Sequence, residues 1–311
     1  MDEFDWFEAL PAGHRSGFVA VIGKPNAGKS TLVNHFLGQK IAIVSPKPQT
    51  TRTRIMGILT HTDAQAIFLD TPGIHAPLHA LGEAMVDTAI NTIPDADVVL
   101  FVVDASQVPG DEDRSIARTI RNRTQHPVIL ALNKMDLLAP NRVTQHTEAY
   151  LELVPECAGW MLISATEGAN LDELLASIVA QLPEGPRYYP DTQITDQTER
   201  EIAAELIREQ VLRLTHQEVP HAVAVTVEEF KERENDVVYV AATIHVERSS
   251  QKGIVIGKGG HMLRQIGSAA RPEIERMVNG RVYLELWVKV NKNWRRDTGQ
   301  VARLGYTPPD R

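Results

Sequence analysis

The sequence predicts an α/β protein in which a doubly wound, mostly parallel sheet is followed by a smaller α+β domain. Up to residue 183, apolar segments alternate with helical patterns, which is typical of parallel strands covered by helices. The segment Leu182–Pro190 contains three prolines and a glycine and predicts a semi-stiff linker. Helix, two strands, helix, loop, helix and strand then follow. The predicted limits are a tail at 1–16, domains at 17–183 and 196–295, a linker at 184–195, and a tail at 296–311.

The composition is that of a globular protein with an uneven charge distribution. The chain has 311 residues, of which 43% are hydrophobic, and a formal net charge of −8. Residues 248–303 nevertheless hold 12 Lys and Arg against 4 Asp and Glu, which favours a polyanion-binding surface there. No apolar run is long enough to cross a bilayer, and the N-terminus lacks a secretory pattern. With Cys157 as the single cysteine, we expect a cytoplasmic protein without an internal disulfide.

A phosphate-binding loop is predicted directly after the first strand. The apolar run Phe18–Ile22 leads into a segment that fits G-x-x-x-x-G-K-[ST], and a helical pattern follows. A glycine-rich turn before a surface helix would not require that lead-in strand. We expect Lys29 to reach the β- and γ-phosphates and the Ser30 hydroxyl to bind Mg²⁺. Nucleotide contacts are predicted for Gly23, Lys24, Pro25, Asn26, Ala27, Gly28, Lys29, Ser30 and Thr31.

Two later segments are candidates for sensing the γ-phosphate. The loop after the first helix is rich in proline and threonine, and either Thr50 or Thr51 is a candidate to complete the Mg²⁺ shell. Further on, the strand Ala66–Asp70 ends in Asp-Thr-Pro-Gly. Taken alone, each segment is also consistent with an irregular loop or turn. Placed after a phosphate loop, this second segment predicts nucleotide contacts by Asp70, through a Mg²⁺-bound water, and by Thr71, Pro72, Gly73 and Ile74.

The strand Val128–Leu132 is followed by Asn-Lys-Met-Asp, which indicates selection of guanine. A carboxylate at Asp136 can accept hydrogen bonds from N1–H and the 2-amino group of guanine, and adenine lacks this pair of donors. The alternative is a surface turn after a strand. We expect Asn133 to support the loop and approach N7, and the stem of Lys134 to cover the purine face. The remaining predicted contacts are Met135 and, through backbone N–H groups near guanine O6, Ser164 and Ala165.

The C-terminal half contains G-x-x-G between two helical patterns, at residues 257–260. KH domains clamp the backbone of single-stranded nucleic acid with such a loop. A glycine-rich turn is the alternative, but the order of elements and the basic window favour a KH domain of type II. RNA contacts are predicted for Ile254, Ile256, Gly257, Lys258, Gly259, Gly260 and Arg264, and the basic surface is extended by Lys289, Lys292, Arg295 and Arg296. We expect Trp287 in the core, and a kink or helix restart at Pro272.

Together these motifs resemble the Era family of bacterial GTPases over nearly the whole chain. The resemblance rests on residues 23–30, 48–52, 70–73, 133–136, 255–260 and 285–290. It implies a GTPase that binds the 3′ end of 16S rRNA through its KH domain and acts in assembly of the small ribosomal subunit. It favours Thr51 over Thr50 as the Mg²⁺ ligand and implies catalytic roles for Lys29, Thr51 and Gly73. It also implies peripheral membrane association and a link to growth control; we expect a monomer.

Two positions bear on how GTP is hydrolysed. Ile74 stands where Ras-like enzymes have a glutamine that orients the attacking water, so we expect slow intrinsic hydrolysis. Asn26 stands where related GTPases use an asparagine to help bind K⁺; the alternative is a simple loop residue. Two other functions stay open: a nucleotide-gated RNA chaperone in which hydrolysis is incidental, and a membrane-associated signalling GTPase whose KH-like region binds protein.

Overall fold

The structure is a computed structural model and describes residues 10–233 and 236–306. The outer parts of the two predicted tails, 1–9 and 307–311, lie outside the described residues. By packing, the chain divides into an N-terminal unit (Met1–Ile41, Thr51–Ala76 and Met85–Asp196) and a C-terminal unit (Ala42–Thr50, Pro77–Ala84 and Gln197–Arg311). Two short segments that lie inside the predicted limits of the first domain therefore pack with the second.

The N-terminal unit is built on a mostly parallel sheet. Among the described residues its strands are β1 (Arg15–Ile22), β2 (Ile55–Thr60), β3 (Ala64–Asp70), β4 (Val98–Asp104), β5 (Val128–Asn133) and β6 (Gly159–Leu162). Their order is β2-β3-β1-β4-β5-β6, and only the β2–β3 pair is antiparallel. The helices are α1 (Lys29–Leu37), α2 (Ala80–Thr92, whose start lies in the C-terminal unit), α3 (Asp111–Arg123), α4 (Val143–Leu151) and α5 (Leu171–Gln181). This confirms the predicted doubly wound fold.

The apolar strands explain both the core and the position of the loops. Every residue of β3 and of β4 is buried, as expected for strands covered on both faces. β1 lies inside the sheet, between β3 and β4. The chain adds β2 and β3 on one side of β1 and the strands from β4 to β6 on the other, so the strand order reverses at β1. Ligands of such sheets bind at the carboxyl ends of the strands where the order reverses. The loop that follows β1 therefore starts at the favoured place.

The C-terminal unit has the predicted KH arrangement. In chain order it contains α6 (Glu199–Leu214), β7 (Ala224–Arg233), β8 (Val237–Val246), α7 (Ser249–Ile256), α8 (His261–Val278), β9 (Arg281–Val290) and α9 (Thr298–Arg303). Its sheet has the order β7-β8-β9, with β9 parallel to β8. A capping box of Thr198 and Glu201 starts α6, whose Leu206 and Val211 are buried.

Two expectations about this unit need correction. The α8 helix continues through Pro272, so the expected restart is wrong, while a kink at Pro272 stays a prediction. Pro272 is exposed, so water can satisfy the carbonyl that loses its helical donor. Trp287 is 59% exposed and is not part of the core. It shares the outer face of β9 with Tyr283, while Val282 on the opposite face is buried in the core cluster.

The helices in the described ranges are all too short or too polar to span a bilayer.

Candidate functional site

The predicted phosphate loop connects β1 to α1 with the backbone geometry that its glycines permit. Gly28 has φ of 100°, a left-handed conformation that disfavours a side chain. A Cβ atom at Gly28 would also lie 2.1 Å from the side-chain nitrogen of Asn133. This glycine therefore allows a residue from the base-selecting segment to pack directly on the loop. The N-terminus of α1, with its partial positive charge, begins at the next residue.

Lys29 points back into the loop where phosphates are predicted to bind. Its Nζ donates to the carbonyl oxygens of Gly23 at 3.2 Å and Lys24 at 3.1 Å. Burial lowers the pKa of Lys29 to about 8, against the opposing effect of Asp70. Burial likewise raises the pKa of Asp70 to about 6, although Lys29 and Ser30 stabilise its charged form. A buried cation and a buried carboxyl side by side are suited to a triphosphate and its metal ion.

Three oxygen-bearing side chains from separate segments meet beside this loop. The Ser30 hydroxyl lies 2.8 Å from the Thr51 hydroxyl and donates to Asp70 Oδ2 at 2.6 Å. Asp70 is fully buried, and its Oδ1 has no hydrogen-bond partner among the described residues. Hydroxyl and carboxylate oxygens are the ligands that Mg²⁺ prefers. The donor set and the unsatisfied Oδ1 therefore fit a Mg²⁺ ion held partly through water.

The structure separates the two threonine candidates. Thr51 is buried and contacts Ser30, whereas the Thr50 hydroxyl donates to the carbonyl oxygen of Lys47 at 2.7 Å. Thr50 therefore turns its side chain away from the oxygen cluster. This geometry favours the choice of Thr51 that the resemblance implies.

The Asp-Thr-Pro-Gly segment rests against the phosphate loop. The Ile74 N–H donates to the Gly23 carbonyl at 3.2 Å, and the Thr71 hydroxyl donates to the Val21 carbonyl at 2.8 Å. A Cβ atom at Gly73 would lie 2.4 Å from the backbone nitrogen of Pro25, so a larger residue would push these loops apart. Thr71 and Pro72 are buried. Ile74 is only 8% exposed and packs in the core, so its side chain has no role in orienting water.

Asn133 connects the base-selecting segment to two other loops. It is 2% exposed, donates to the Ala27 carbonyl at 2.8 Å and accepts from the Ala165 N–H at 2.9 Å. Asp136 is exposed, and its Oδ1 accepts from the Ser164 hydroxyl at 2.6 Å. These contacts place a carboxylate, a phosphate loop and the segment after β6 within one network. Asn133 acts here as a support, and its approach to N7 stays a prediction.

The predicted guanine O6 contact is the least supported part of this site. The Ser164 N–H donates to the Ala169 carbonyl at 3.2 Å, and the Ala165 N–H donates to Asn133. Both donors therefore already have acceptors within the protein, and a contact with O6 would have to share one of them. Of the other predicted contacts, Thr31 and Met135 are half-buried; the Met135 N–H donates to the Ile163 carbonyl at 3.0 Å.

Sequence reasoning missed two carboxylates that hold the predicted lysines. Lys134 Nζ lies 2.6 Å from Asp104, and Lys24 Nζ lies 3.0 Å from Asp113. Burial opposes ionisation of Asp104, but hydrogen bonds from Lys134 and Ser106 lower its pKa. Asp104 is the last residue of β4, just as Asp70 ends β3. An acidic residue at the carboxyl end of a buried strand is therefore the sequence pattern that could have identified Asp104.

Asn26 lies at the exposed tip of the phosphate loop and has φ of 60°. Asparagine tolerates this left-handed conformation better than most residues. That tolerance explains an asparagine here without reference to a cation, so a K⁺ site at Asn26 stays a prediction.

The G-x-x-G loop joins α7 to α8 in a short 3₁₀ turn. Gly257, Gly259 and Gly260 all have positive φ, between 60° and 76°. The side chain of Ile254 is 45% exposed on α7, and Lys258 at the tip and Arg264 on α8 are exposed too. An apolar side chain and two cations thus flank a backbone that can approach phosphates closely. Ile256 is half-buried at the end of α7.

One member of the predicted basic surface is engaged elsewhere. Arg295 forms an ion pair with Glu247 at 2.5 Å, and its side chain is only 19% exposed. It therefore contributes less free positive charge than an unpaired arginine would, and its place in the basic surface stays a prediction. The pairing was not visible in the sequence because the two residues are far apart along the chain.

Comparisons with known proteins agree with this geometry. A family model described as a 50S ribosome-binding GTPase matches residues 18–134, and a KH domain model matches residues 218–295. A crystal structure of Era with MgGDPNP and nucleotides 1506–1542 of 16S ribosomal RNA is 42% identical, with a TM-score of 0.92. Another, of a single-residue variant of Aquifex aeolicus Era bound to GDP·AlF₄⁻, is 41% identical, with a TM-score of 0.91. Each match covers 94% of this chain and 99% of the other.

Proposed function

Because this chain belongs to the Era family of GTPases, we propose that it is a GTP-hydrolysing switch that binds the 3′ end of 16S rRNA through its KH domain and acts in assembly of the small ribosomal subunit. The observation that carries the switch is the meeting of Ser30, Thr51 and Asp70 beside the phosphate loop. One residue of this cluster lies in the loop, and each of the others belongs to a different segment that can respond to the γ-phosphate.

The residues have distinct roles in this proposal. Lys29 binds the β- and γ-phosphates and neutralises charge that develops during hydrolysis. Ser30 and Thr51 hold Mg²⁺ directly, and Asp70 holds one of its waters. When bound, Mg²⁺ supplies further positive charge to the phosphate oxygens. The Gly73 N–H binds the γ-phosphate, and Asp136 selects guanine through its paired donors.

Intrinsic hydrolysis is slow in this proposal because Ile74 is buried in the core and cannot orient water. The missing function is supplied by a backbone group, by RNA or by a cation. A K⁺ ion at Asn26 would add positive charge near the phosphates. Hydrolysis rates that are equal in KCl and NaCl of the same ionic strength would exclude this role for K⁺.

The metal assignment is tested by comparing Thr51→Val with Thr50→Val. Both substitutions remove a hydroxyl and keep a similar shape. We expect Thr51→Val to raise the Mg²⁺ concentration needed to bind a non-hydrolysable GTP analogue, with GDP affinity nearly unchanged. Thr50→Val should behave as wild type, since its hydroxyl contacts Lys47. Equal Mg²⁺ requirements in the two variants would contradict the assignment.

The RNA function is tested with a 3′-terminal 16S rRNA fragment. We expect the fragment to stimulate single-turnover GTP hydrolysis, which would distinguish a switch from a chaperone in which hydrolysis is incidental. Lys258→Glu should weaken RNA binding and reduce its salt dependence, because it removes a phosphate contact. Lys231→Glu, at an exposed lysine of the edge strand β7 that pairs with Glu229, is the control charge reversal. Crosslinking the GTP-bound protein in cells would identify the RNA.

Two finer proposals come from the resemblance alone: peripheral association with the cytoplasmic face of the membrane and a link to growth control. A monomeric state is a third, separate proposal. Sedimentation with vesicles of anionic lipid and analytical ultracentrifugation would test the first and the last.

A further inference from the structure

Residues 42–50 pack with the C-terminal unit although the chain on both sides of them belongs to the N-terminal unit. Ile43 is 2% exposed and lies in the same apolar cluster as Leu206, Ile207 and Val211 of α6. The segment ends at the residue directly before Thr51. Its attachment to α6 therefore affects where Thr51 can lie.

Two adjacent charged residues of α6 hold this segment by its backbone. Arg208 is fully buried, and its guanidinium donates a hydrogen bond to the carbonyl oxygen of Thr50. Glu209 is also fully buried and accepts a hydrogen bond from the Val44 N–H at 3.1 Å. The two contacts lie near the two ends of the segment. One turn of a rigid helix thus fixes both ends.

The charges of this pair are balanced by neighbours on the same helix. Glu205 lies 2.5 Å from Arg208, and Arg213 lies 3.0 Å from Glu209. Fully buried charges are rare, and they are stable only where their polar atoms have partners. If the segment left α6, Arg208 and Glu209 would each lose a backbone partner. The segment therefore has a strongly preferred position.

The hydrogen bond to Thr50 acts on Thr51 because the carbonyl of Thr50 and the N–H of Thr51 belong to one planar peptide group. Fixing the direction of that carbonyl fixes the start of the next residue. With the peptide held in this way, the Thr51 hydroxyl lies 2.8 Å from Ser30.

We propose that Arg208 and Glu209 are positioning residues for the GTP-bound state, which anchor residues 44–50 to α6 and so present Thr51 to the Mg²⁺-binding oxygens. This inference rests on the proposed role of Thr51. Because binding linkage is reciprocal, GTP binding strengthens the anchoring of the segment by the same factor by which the anchoring strengthens GTP binding. The C-terminal unit thereby influences nucleotide affinity through two residues that are not among the predicted nucleotide contacts.

The test uses the full chain and the substitution Arg208→Met, which keeps the length of the side chain and removes its donors. The matched control is Arg276→Met on α8, where the side chain is 70% exposed. Three quantities are measured: the affinities for a non-hydrolysable GTP analogue and for GDP across a Mg²⁺ titration, hydrogen exchange of residues 42–53, and the melting temperature.

We expect Arg208→Met to weaken binding of the GTP analogue about 10- to 100-fold at limiting Mg²⁺, the effect expected for loss of a charged hydrogen bond. Its affinity for GDP should change by less than about 3-fold. Residues 42–53 should exchange faster in the GTP-analogue state. Glu209→Gln, which keeps an acceptor for Val44, should behave nearly as wild type, whereas Glu209→Leu should resemble Arg208→Met. Arg276→Met should leave all three quantities unchanged.

Equal loss of GTP-analogue and GDP affinity, or a lower melting temperature with no change in Mg²⁺ requirement, would overturn the proposal and leave a structural role. If Arg208→Met does not fold, Arg208→Lys and Glu209→Leu are judged by the same criteria, and failure of all three to fold also overturns it. Failure of the proposed function is distinguishable: Thr51→Val would then leave the Mg²⁺ requirement unchanged. A Thr51→Val effect without an Arg208 effect refutes only this inference.

Discussion

Asn133→Ala is predicted to loosen the whole N-terminal unit, because Asn133 connects three segments. The substitution removes the hydrogen bonds to the Ala27 carbonyl, at 2.8 Å, and to the Ala165 N–H, at 2.9 Å. Ala27 is 0% exposed and Ala165 is 4% exposed, so both backbone groups lose their partner in a buried position. Each lost bond costs about 1 kcal/mol, and each unsatisfied group adds to this. We therefore expect the free energy of unfolding to fall by about 2–4 kcal/mol.

The assay is native-state hydrogen exchange of the nucleotide-free chain, read at peptides that cover β5. These amides lie inside the sheet, between β4 and the edge strand β6, and report on opening of this unit alone. A loss of about 2–4 kcal/mol corresponds to roughly 30- to 900-fold faster exchange. GDP affinity should fall too, since the phosphate loop loses its attachment at Ala27.

The control for this experiment is Asn122→Ala on α3, where the side chain is exposed. It removes the same chemical group without uncovering a buried donor or acceptor, so exchange of β5 should stay within about 3-fold of wild type. If Asn133→Ala also stayed within about 3-fold, the buried network would not contribute to stability as argued.

Three further predictions concern other residues. Since burial lowers the pKa of Lys29 to about 8, its charge is lost from the free protein above that pH and restored by phosphate. GDP binding should then take up a proton and weaken about tenfold per pH unit above 8; calorimetry in buffers of different ionisation enthalpy that finds no uptake would contradict this. Asp136→Asn should weaken GTP binding about 100- to 1000-fold and favour xanthosine triphosphate, whose 2-oxo group accepts from the amide; unchanged preference in competition binding would refute the base contact. Pro272→Ala restores a donor within α8 and should stabilise the C-terminal unit by about 1–3 kcal/mol; lower stability in urea unfolding would show that the proline is needed.

The parts of the site that could be predicted from the sequence are those in which local patterns determine structure. A strand buried on both faces has a continuous apolar run, as in Val98–Asp104. The loop that follows such a strand has residues at fixed spacings, as in residues 23–30. The carboxyl ends of parallel strands lie along one edge of the sheet. Once each loop is assigned to the end of a strand in the sequence, the loops are therefore expected to lie close together in space.

The exposure of Trp287 could not be predicted in the same way. Side chains alternate between the two faces of β9, and both faces carry apolar residues: Tyr283 and Trp287 on one, Val282, Leu284, Leu286 and Val288 on the other. The buried face of β9 is the face that α7 and α8 cover, and the alternation of side chains does not indicate which face that is. The helices cover the face with the smaller aliphatic side chains, because these pack closely against a helix, and the larger aromatic rings remain outside.

The same reasoning explains why Arg208 and Glu209 were overlooked. A helical pattern is normally interpreted by assigning apolar residues to the core and charged residues to solvent. In α6 the apolar residues Leu206, Ile207, Val211 and Leu212 surround the charged pair on both sides along the chain, so the helix is buried nearly all round at this level. Charges can occupy such a position only if buried backbone groups from elsewhere bind them. Two adjacent charges between apolar pairs therefore indicate a docked segment, and here that segment ends beside Thr51.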